Sequence, residues 1–69
     1  MNVRLLKAKC VERGLSFSKL SDEINLSRSA FYRRMKNNQL TCKNVRDIRS
    51  RLDLTEDEVV SIFFGNNVA

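Results

Sequence analysis

A chain of 69 residues holds one small hydrophobic core, which excludes a two-domain enzyme and predicts a single domain over residues 1–69. The hydrophobic fraction of 42% and the charged fraction of 30% are typical of a folded chain, and they exclude a fully disordered one. Because the chain has no proline and only two glycines, the composition favours an all-α fold, a compact bundle of about five short helices.

The first helix is predicted over residues 2–13. Its apolar residues recur at three- and four-residue steps, as one buried helix face requires. They are Val3, Leu6, Cys10 and Val11. Gly14 follows at the position where a residue in the left-handed conformation ends a helix.

A second helix of about eight residues is predicted after Ser16, which suits the N-cap position. Leu20 and Ile24 lie on one face of this helix. Asparagine tolerates a positive φ, so Asn25 is predicted to end the helix and to begin a tight turn over 25–27. Leu26 is predicted to point inward from this turn.

The third helix is predicted from Arg28 to about Asn37, with Ser27 as its N-cap. Phe31 and Met35 are four residues apart and form its predicted buried edge. The outward face is predicted to be cationic and aromatic. It consists of Arg28, Ser29, Tyr32, Arg33 and Lys36.

Two more helices are predicted in the second half of the chain. Thr41 caps the fourth, in which the apolar residues Val45, Ile48 and Leu52 repeat at three and four residues. A capping box over residues 55–58 opens a fifth short helix that runs to Gly65. Residues 66–69 are predicted to be a frayed tail.

The two cysteines, Cys10 and Cys42, are far apart in sequence and lie in predicted helices. We therefore expect two buried, reduced thiols, with no metal site and no disulfide. No apolar run approaches the length of a membrane span, and the segment MNVRLLKAKC is too charged for a signal peptide. A cytoplasmic protein that does not contact a membrane is expected.

Positive charge is concentrated in the middle of the chain. Residues 28–51 contain eight lysines or arginines and one acidic residue, a net charge of +7, against +5 for the whole chain. Residues 52–69 contain four acidic residues and no basic one. This distribution favours a polyanionic partner such as nucleic acid, because Lys and Arg displace counterions from phosphates. The alternative is a solvated basic helix face without a partner.

Residues 16–37 pair a short helix, a tight turn and a second capped helix, as in a helix-turn-helix, whose second helix enters the DNA major groove. The segment GLSFSKLSDEINLSRSAFYRRMKNNQ resembles the helix-turn-helix of the phage Cro and repressor family, also called the XRE family. LTCKNVRDIRSRLDLTEDEVVSIFF resembles the family's fourth and fifth helices. The resemblance implies a lambda-repressor-like bundle in a bacterial or phage-infected cell, binding roughly palindromic operator DNA, commonly as a dimer.

The chain departs from the family pattern at several positions. The family usually has Ala where this chain has Ser21, and Gly where this chain has Asn25. It often has Gln where this chain has Phe17. That Gln commonly binds a phosphate, and Phe17 cannot do so. Either Ser16, Ser18 or free N–H groups at the helix start make the phosphate contact instead, or Phe17 serves in packing. Arg34 stands where many members have an apolar residue and Met35 is apolar instead, which predicts a third helix that is slightly rotated or extended.

The resemblance implies a groove-facing set for DNA base readout. This set is Arg28, Ser29, Tyr32 and Arg33. Arg28 is the favoured residue for base readout, because an arginine near the helix start can donate two hydrogen bonds to guanine. The alternative is that Arg28 contacts only a phosphate or water. Ser29 either reads a base edge or caps the helix, and Tyr32 either contacts a sugar or thymine methyl or has no partner. Arg33 lies one turn further in, which also favours a phosphate.

A second set of residues is predicted to contact DNA phosphates. It consists of Ser16, Ser18, Ser27, Lys36, Asn37, Asn38, Gln39 and Lys43. The alternative for residues 37–39 is a hydrophilic loop without a ligand. Arg46, Arg49 and Arg51 are spread around the fourth helix and are expected to be solvated, or paired with Asp47, Asp53 or the acidic start of the fifth helix.

The chain carries more apolar residues near its end than one face of a short helix buries. They are Val59, Val60, Ile62, Phe63 and Phe64. We expect part of this cluster to be exposed and to form a homodimer interface through Val60, Phe63 and Phe64. The alternative is that both phenylalanines close the core.

The chain has no histidine, no glycine-rich phosphate loop and no activated nucleophile, so an enzyme, a cofactor, a metal or a small-molecule ligand is not expected. The predicted function is a sequence-specific, double-stranded DNA-binding regulator, a phage or prophage-type repressor. It is either complete or the N-terminal domain of a longer repressor. The competing interpretation is a protein-interaction module on the same fold, such as an antitoxin, an antirepressor partner or an adaptor.

Overall fold

The computed structural model describes residues 1–65, which form five α-helices and no strand. The helices are α1 (Val3–Glu12), α2 (Phe17–Glu23), α3 (Arg28–Lys36), α4 (Cys42–Leu52) and α5 (Glu56–Val59). The predicted all-α class is confirmed. The predicted tail, 66–69, lies outside the described residues. Within 1–65, no helix is both long and apolar enough to cross a membrane.

Each helix begins at a side chain that accepts a hydrogen bond from the amide three residues later, which satisfies one unpaired donor of the first turn. The caps are Asn2, Ser16, Ser27, Thr41 and Thr55. The last four were predicted from the sequence and are confirmed. At Thr41 and Thr55 the third helical residue bonds back to the cap amide, which completes a capping box.

Four helices, α1 to α4, are followed by a residue in the left-handed conformation. Gly14 after α1 has φ +67° and Asn25 after α2 has φ +61°, as predicted. Asn38 at φ +53° and Asp53 at φ +51° were not predicted. These residues reverse the chain sharply, and the helices consequently pack against each other with short connections.

The core draws side chains from α1, α2, α3 and α4. The turn that follows α5 also contributes a buried side chain. Its fully buried members include Leu6, Leu20, Phe31, Ile48, Leu52 and Ile62. The predicted buried edge of α3, Phe31 and Met35, is confirmed. Val11 was predicted on the buried face of α1, but this is wrong, since the side chain is 71% exposed. Cys10 takes the buried place, and Val11 lies about 100° further around the helix.

The two thiols differ in environment. Cys10 is buried in the core, as predicted, and burial raises its pKa to about 11. The prediction that Cys42 is buried is wrong, because its thiol is exposed. Cys42 is the first residue of α4 and precedes the buried Ile48 by six residues, which places it about 120° away from the core side of the helix.

The predicted fifth helix is not a continuous α-helix. After α5 the chain widens into a π-helical turn, Val60–Phe64, before Gly65. This turn buries Ile62 completely, and the Ile62 carbonyl accepts a hydrogen bond from the Asn2 amide at 2.6 Å. This hydrogen bond joins the end of the described chain to the residue that precedes α1.

Candidate nucleic-acid interface

The connection between α2 and α3 sets the position of α3. The Asn25 amide donates to the Asp22 carbonyl, and the Leu26 amide donates to the Ser21 carbonyl at 2.9 Å. Leu26 is half-buried and packs against the core, so the predicted inward turn residue is confirmed. Ser21 is 1% exposed, and its hydroxyl donates to the Ser18 carbonyl, so this buried polar group is hydrogen-bonded.

The outward face of α3 matches the sequence prediction. All five of its residues are exposed: Arg28, Ser29, Tyr32, Arg33 and Lys36. The helix start is capped by Ser27, whose hydroxyl accepts from the Ala30 amide at 3.1 Å, so the capping role considered for Ser29 is wrong. The contacts of this face with DNA stay predictions.

Arg28, Tyr32 and Phe17 form a stack at the start of α3. The Arg28 guanidinium lies 5.8 Å from the centre of the Tyr32 ring, within range of a cation–π interaction. The Tyr32 ring in turn meets Phe17 edge to face at 5.8 Å. Tyr32 therefore packs between Arg28 and Phe17 while it stays exposed. The stack favours one position of Arg28 while the side chain stays exposed.

Phe17 serves in packing, which was one of the two alternatives for this departure from the family pattern. Its side chain is 9% exposed, and its ring contacts Phe31 edge to face at 5.6 Å. An aromatic ring at this position joins α2 to α3 and supports the ring of Tyr32. It offers no hydrogen bond to a phosphate.

A buried asparagine joins the second half of α3 to the start of α4. Arg34 is half-buried and donates to the Asn44 side-chain oxygen at 3.0 Å, and the Thr41 amide donates to the same oxygen at 3.1 Å. Asn44 is 6% exposed. The structure thus accommodates Arg34 through a polar contact, and α3 ends at Lys36. The sequence signal for Asn44 was its place three residues after a capping threonine.

The predicted phosphate-contacting residues occupy two regions. Ser16 and Ser18 line one cavity together with Arg28, whereas Asn38 lines another with Leu40 and Val45. All of the predicted residues are exposed except Ser18, which is half-buried. The hydroxyls of Ser16 and Ser27 accept cap hydrogen bonds and keep their own O–H donors.

One acidic residue of α4 and one of α5 form ion pairs with lysines. Asp47 pairs with Lys43 at 3.2 Å, and Glu58 pairs with Lys9 of α1. Within 1–65, Arg46, Arg49 and Arg51 are exposed and form no ion pair, so the solvated alternative is correct for them.

The apolar cluster near the end of the described chain is divided between core and surface. Ile62 is fully buried and Phe63 is half-buried, whereas Val60 and Phe64 are 53% and 75% exposed. The expected surplus of exposed apolar surface is confirmed, and the alternative that both phenylalanines close the core is wrong for Phe64. The homodimer interface itself stays a prediction.

The chain was also compared with known proteins. No protein-family model, no curated protein and no solved structure matches it. The resemblance to the Cro and repressor family rests on the residues quoted above. Within 1–65, no three His, Cys, Asp or Glu side chains lie together as metal ligands do.

Proposed function

We propose that this protein is a sequence-specific, double-stranded DNA-binding transcriptional regulator of the phage or prophage repressor type. In this proposal α2 and α3 form a helix-turn-helix and α3 lies in the major groove. The observation that supports it best is the outward face of α3, where Arg28, Arg33 and Lys36 are exposed and have no acidic partner within residues 1–65. Three free cations on one face suit a polyanion.

Arg28 is the proposed base reader. It lies at the first position of α3, and a recognition helix contacts base edges with its N-terminal residues. Its guanidinium can donate two hydrogen bonds to guanine O6 and N7. Packing on the Tyr32 ring lowers the entropy lost when the side chain is fixed on a base. Ser29, Tyr32 and Arg33 are the remaining groove-facing residues of the proposal.

Phosphate contacts are proposed on both sides of α3. Ser16, Ser18 and Ser27 lie at the starts of α2 and α3, and Lys36 with residues 37–39 lies at the end of α3. Lys43 takes part by exchanging its partner Asp47 for a phosphate. This exchange costs little free energy, because an exposed ion pair of this kind contributes about 0–1 kcal/mol.

A dimer is proposed through the exposed apolar residues Val60 and Phe64, together with Phe63. Two copies related by a two-fold axis would place two α3 helices on a roughly palindromic operator. Sedimentation equilibrium tests this, with a reversible monomer–dimer equilibrium expected and Phe64→Ser shifting it toward monomer. Monomer alone at high concentration, both free and with an operator, would contradict the dimer.

Fluorescence anisotropy with a random-sequence duplex pool tests the DNA-binding proposal. We expect affinity to fall steeply with salt, and the slope of log K against log salt to fall by about 1 in Lys36→Met. Arg4→Met is the matched control, since it removes an exposed cation from α1, outside the proposed interface. Absence of binding even at low salt would contradict the proposal, and pull-down experiments would then test the protein-interaction module.

A further inference from the structure

A cavity of about 320 Å³ opens between α1, the loop that follows α1, and the starts of α2 and α3. Its walls include the apolar side chains of Val11, Leu15, Phe17 and Tyr32. Val11 is 71% exposed at this cavity, although the other branched aliphatic side chains of α1 are at least half-buried. An engineered cavity of about 150 Å³ holds one benzene molecule, so this cavity has room for a ligand of two rings.

The cavity is also positively charged. Lys7 of α1 and Arg28 of α3 line it from two sides, and no acidic residue among residues 1–65 lines it. Neither cation is engaged in an ion pair within residues 1–65. An apolar wall flanked by two free cations suits a ligand that has an apolar body and a single carboxylate.

We propose that this cavity binds a small amphipathic carboxylate, with its rings against Val11 and Leu15 and its carboxylate between Lys7 and Arg28. The regulatory consequence of this proposal rests on the proposed function. Arg28 cannot pair with the carboxylate and a guanine at the same time, so the ligand and operator DNA exclude each other. By thermodynamic linkage, DNA lowers the affinity for the ligand by the same factor as the ligand lowers the affinity for DNA.

An NMR titration with 2-naphthoate tests the cavity, and the neutral alcohol 2-naphthylmethanol tests the need for the negative charge. We expect saturable shifts of the Val11, Leu15 and Tyr32 amides, with a Kd of about 1 mM for a ligand of roughly thirteen non-hydrogen atoms. The alcohol is expected to bind at least about fivefold more weakly, as one exposed charge-assisted contact implies. Shifts that do not saturate, or equal affinities for the two probes, would overturn the proposal.

A pair of charge variants separates the cavity from general electrostatic attraction. Lys7→Met removes a cation that lines the cavity, and Arg4→Met removes an exposed cation of α1 that does not. We expect Lys7→Met to weaken 2-naphthoate about fivefold and to leave 2-naphthylmethanol unchanged, whereas Arg4→Met leaves both unchanged. Equal effects of the two variants would overturn the proposal.

A competition experiment tests the regulatory step. Saturating 2-naphthoate is expected to weaken anisotropy-measured binding to a duplex selected by the protein, while 2-naphthylmethanol has no effect. If the protein binds the duplex and does not bind 2-naphthoate, the carboxylate site is wrong and the DNA-binding function stands. If it binds 2-naphthoate in the cavity and no duplex, the site stands and the proposed function is wrong.

Discussion

Asn44 shows how one side chain determines the relation between two helices. Its side-chain oxygen accepts hydrogen bonds from Arg34 of α3 and from the Thr41 amide, and its own amide donates to the Thr41 hydroxyl. The side chain is almost fully buried, so no solvent replaces these partners when it is removed. A buried donor that loses its acceptor costs more free energy than an average hydrogen bond contributes.

Asn44→Ala is therefore expected to lower the free energy of unfolding by about 1–3 kcal/mol, measured by urea denaturation. Asn37→Ala is the matched control, because the Asn37 side chain is exposed and forms no hydrogen bond within residues 1–65. The control is expected to change the free energy of unfolding by less than about 0.5 kcal/mol. Equal losses in the two variants would contradict the role assigned to Asn44.

The two cysteines are expected to react at very different rates with a thiol reagent. Cys42 is exposed and reacts in the native protein, whereas Cys10 is buried and its raised pKa of about 11 keeps it protonated. Timed labelling with a maleimide, read by mass spectrometry, is expected to give one fast modification, which Cys42→Ser abolishes. Rapid modification of both thiols in the folded protein would contradict this placement.

At the scale of the elements, the short connections depend on residues that adopt a positive φ. Asn25 joins α2 to α3 in this conformation, and the amides that follow α2 donate back to its last carbonyls. Most residues with a Cβ are strained at positive φ, whereas glycine is not. The strain of asparagine in this conformation is intermediate between the two. The orientation of α3 relative to α2 follows from this turn.

Substitutions at Asn25 test the turn. Asn25→Ala is expected to lower the free energy of unfolding by about 1 kcal/mol, because alanine adopts the left-handed conformation at a cost. Asn25→Gly is expected to remain within about 0.5 kcal/mol of the wild type. Thermal or urea denaturation measures both. Alanine tolerated as well as glycine would show that the turn does not require φ +61°.

The elements also show what the sequence can predict. Caps at Ser16, Ser27 and Thr41 and the turn at Asn25 depend on local hydrogen bonds and local φ, so the sequence predicts them directly. The outward face of α3 follows from helical periodicity in the same way.

Features that depend on neighbouring elements were not predictable from the sequence. Val11 and Cys10 are adjacent and both apolar, and only the packing of α1 decides which is buried. The pairing of Lys9 with Glu58 joins residues 49 positions apart. The cavity beside Arg28 likewise requires three helices to be in place.

At the scale of the whole molecule, Lys9 links the two ends of the described chain. Its ammonium contacts Glu58 of α5 and also Glu12 of α1. The hydrogen bond from Lys9, with a second from the Thr55 amide, lowers the pKa of Glu58 to about 2 from its ordinary value of 4.5. The ionised form of Glu58 is thus favoured by folding.

The lowered pKa of Glu58 determines how the free energy of unfolding changes with pH. A carboxyl whose pKa is lower in the folded state stabilises the fold above pH 4.5 and loses this contribution as the pH falls toward 2. Urea denaturation between pH 5 and pH 2 is expected to show a flatter loss of stability in Glu58→Gln than in the wild type. Glu56→Gln removes an exposed carboxylate of α5 that forms no ion pair within residues 1–65, and it is expected to keep the wild-type slope.

Base readout by Arg28 is tested most directly by selecting bound DNA from a random duplex pool with the wild type, with Arg28→Ala and with the control Arg4→Ala. The wild type and the control are expected to enrich the same short, roughly palindromic motif. Arg28→Ala is predicted to lose about 1–3 kcal/mol of preference for one guanine in each half-site and to keep the rest. A wild type that enriches no motif, or an Arg28→Ala variant that enriches an unchanged one, would contradict base readout from the start of α3.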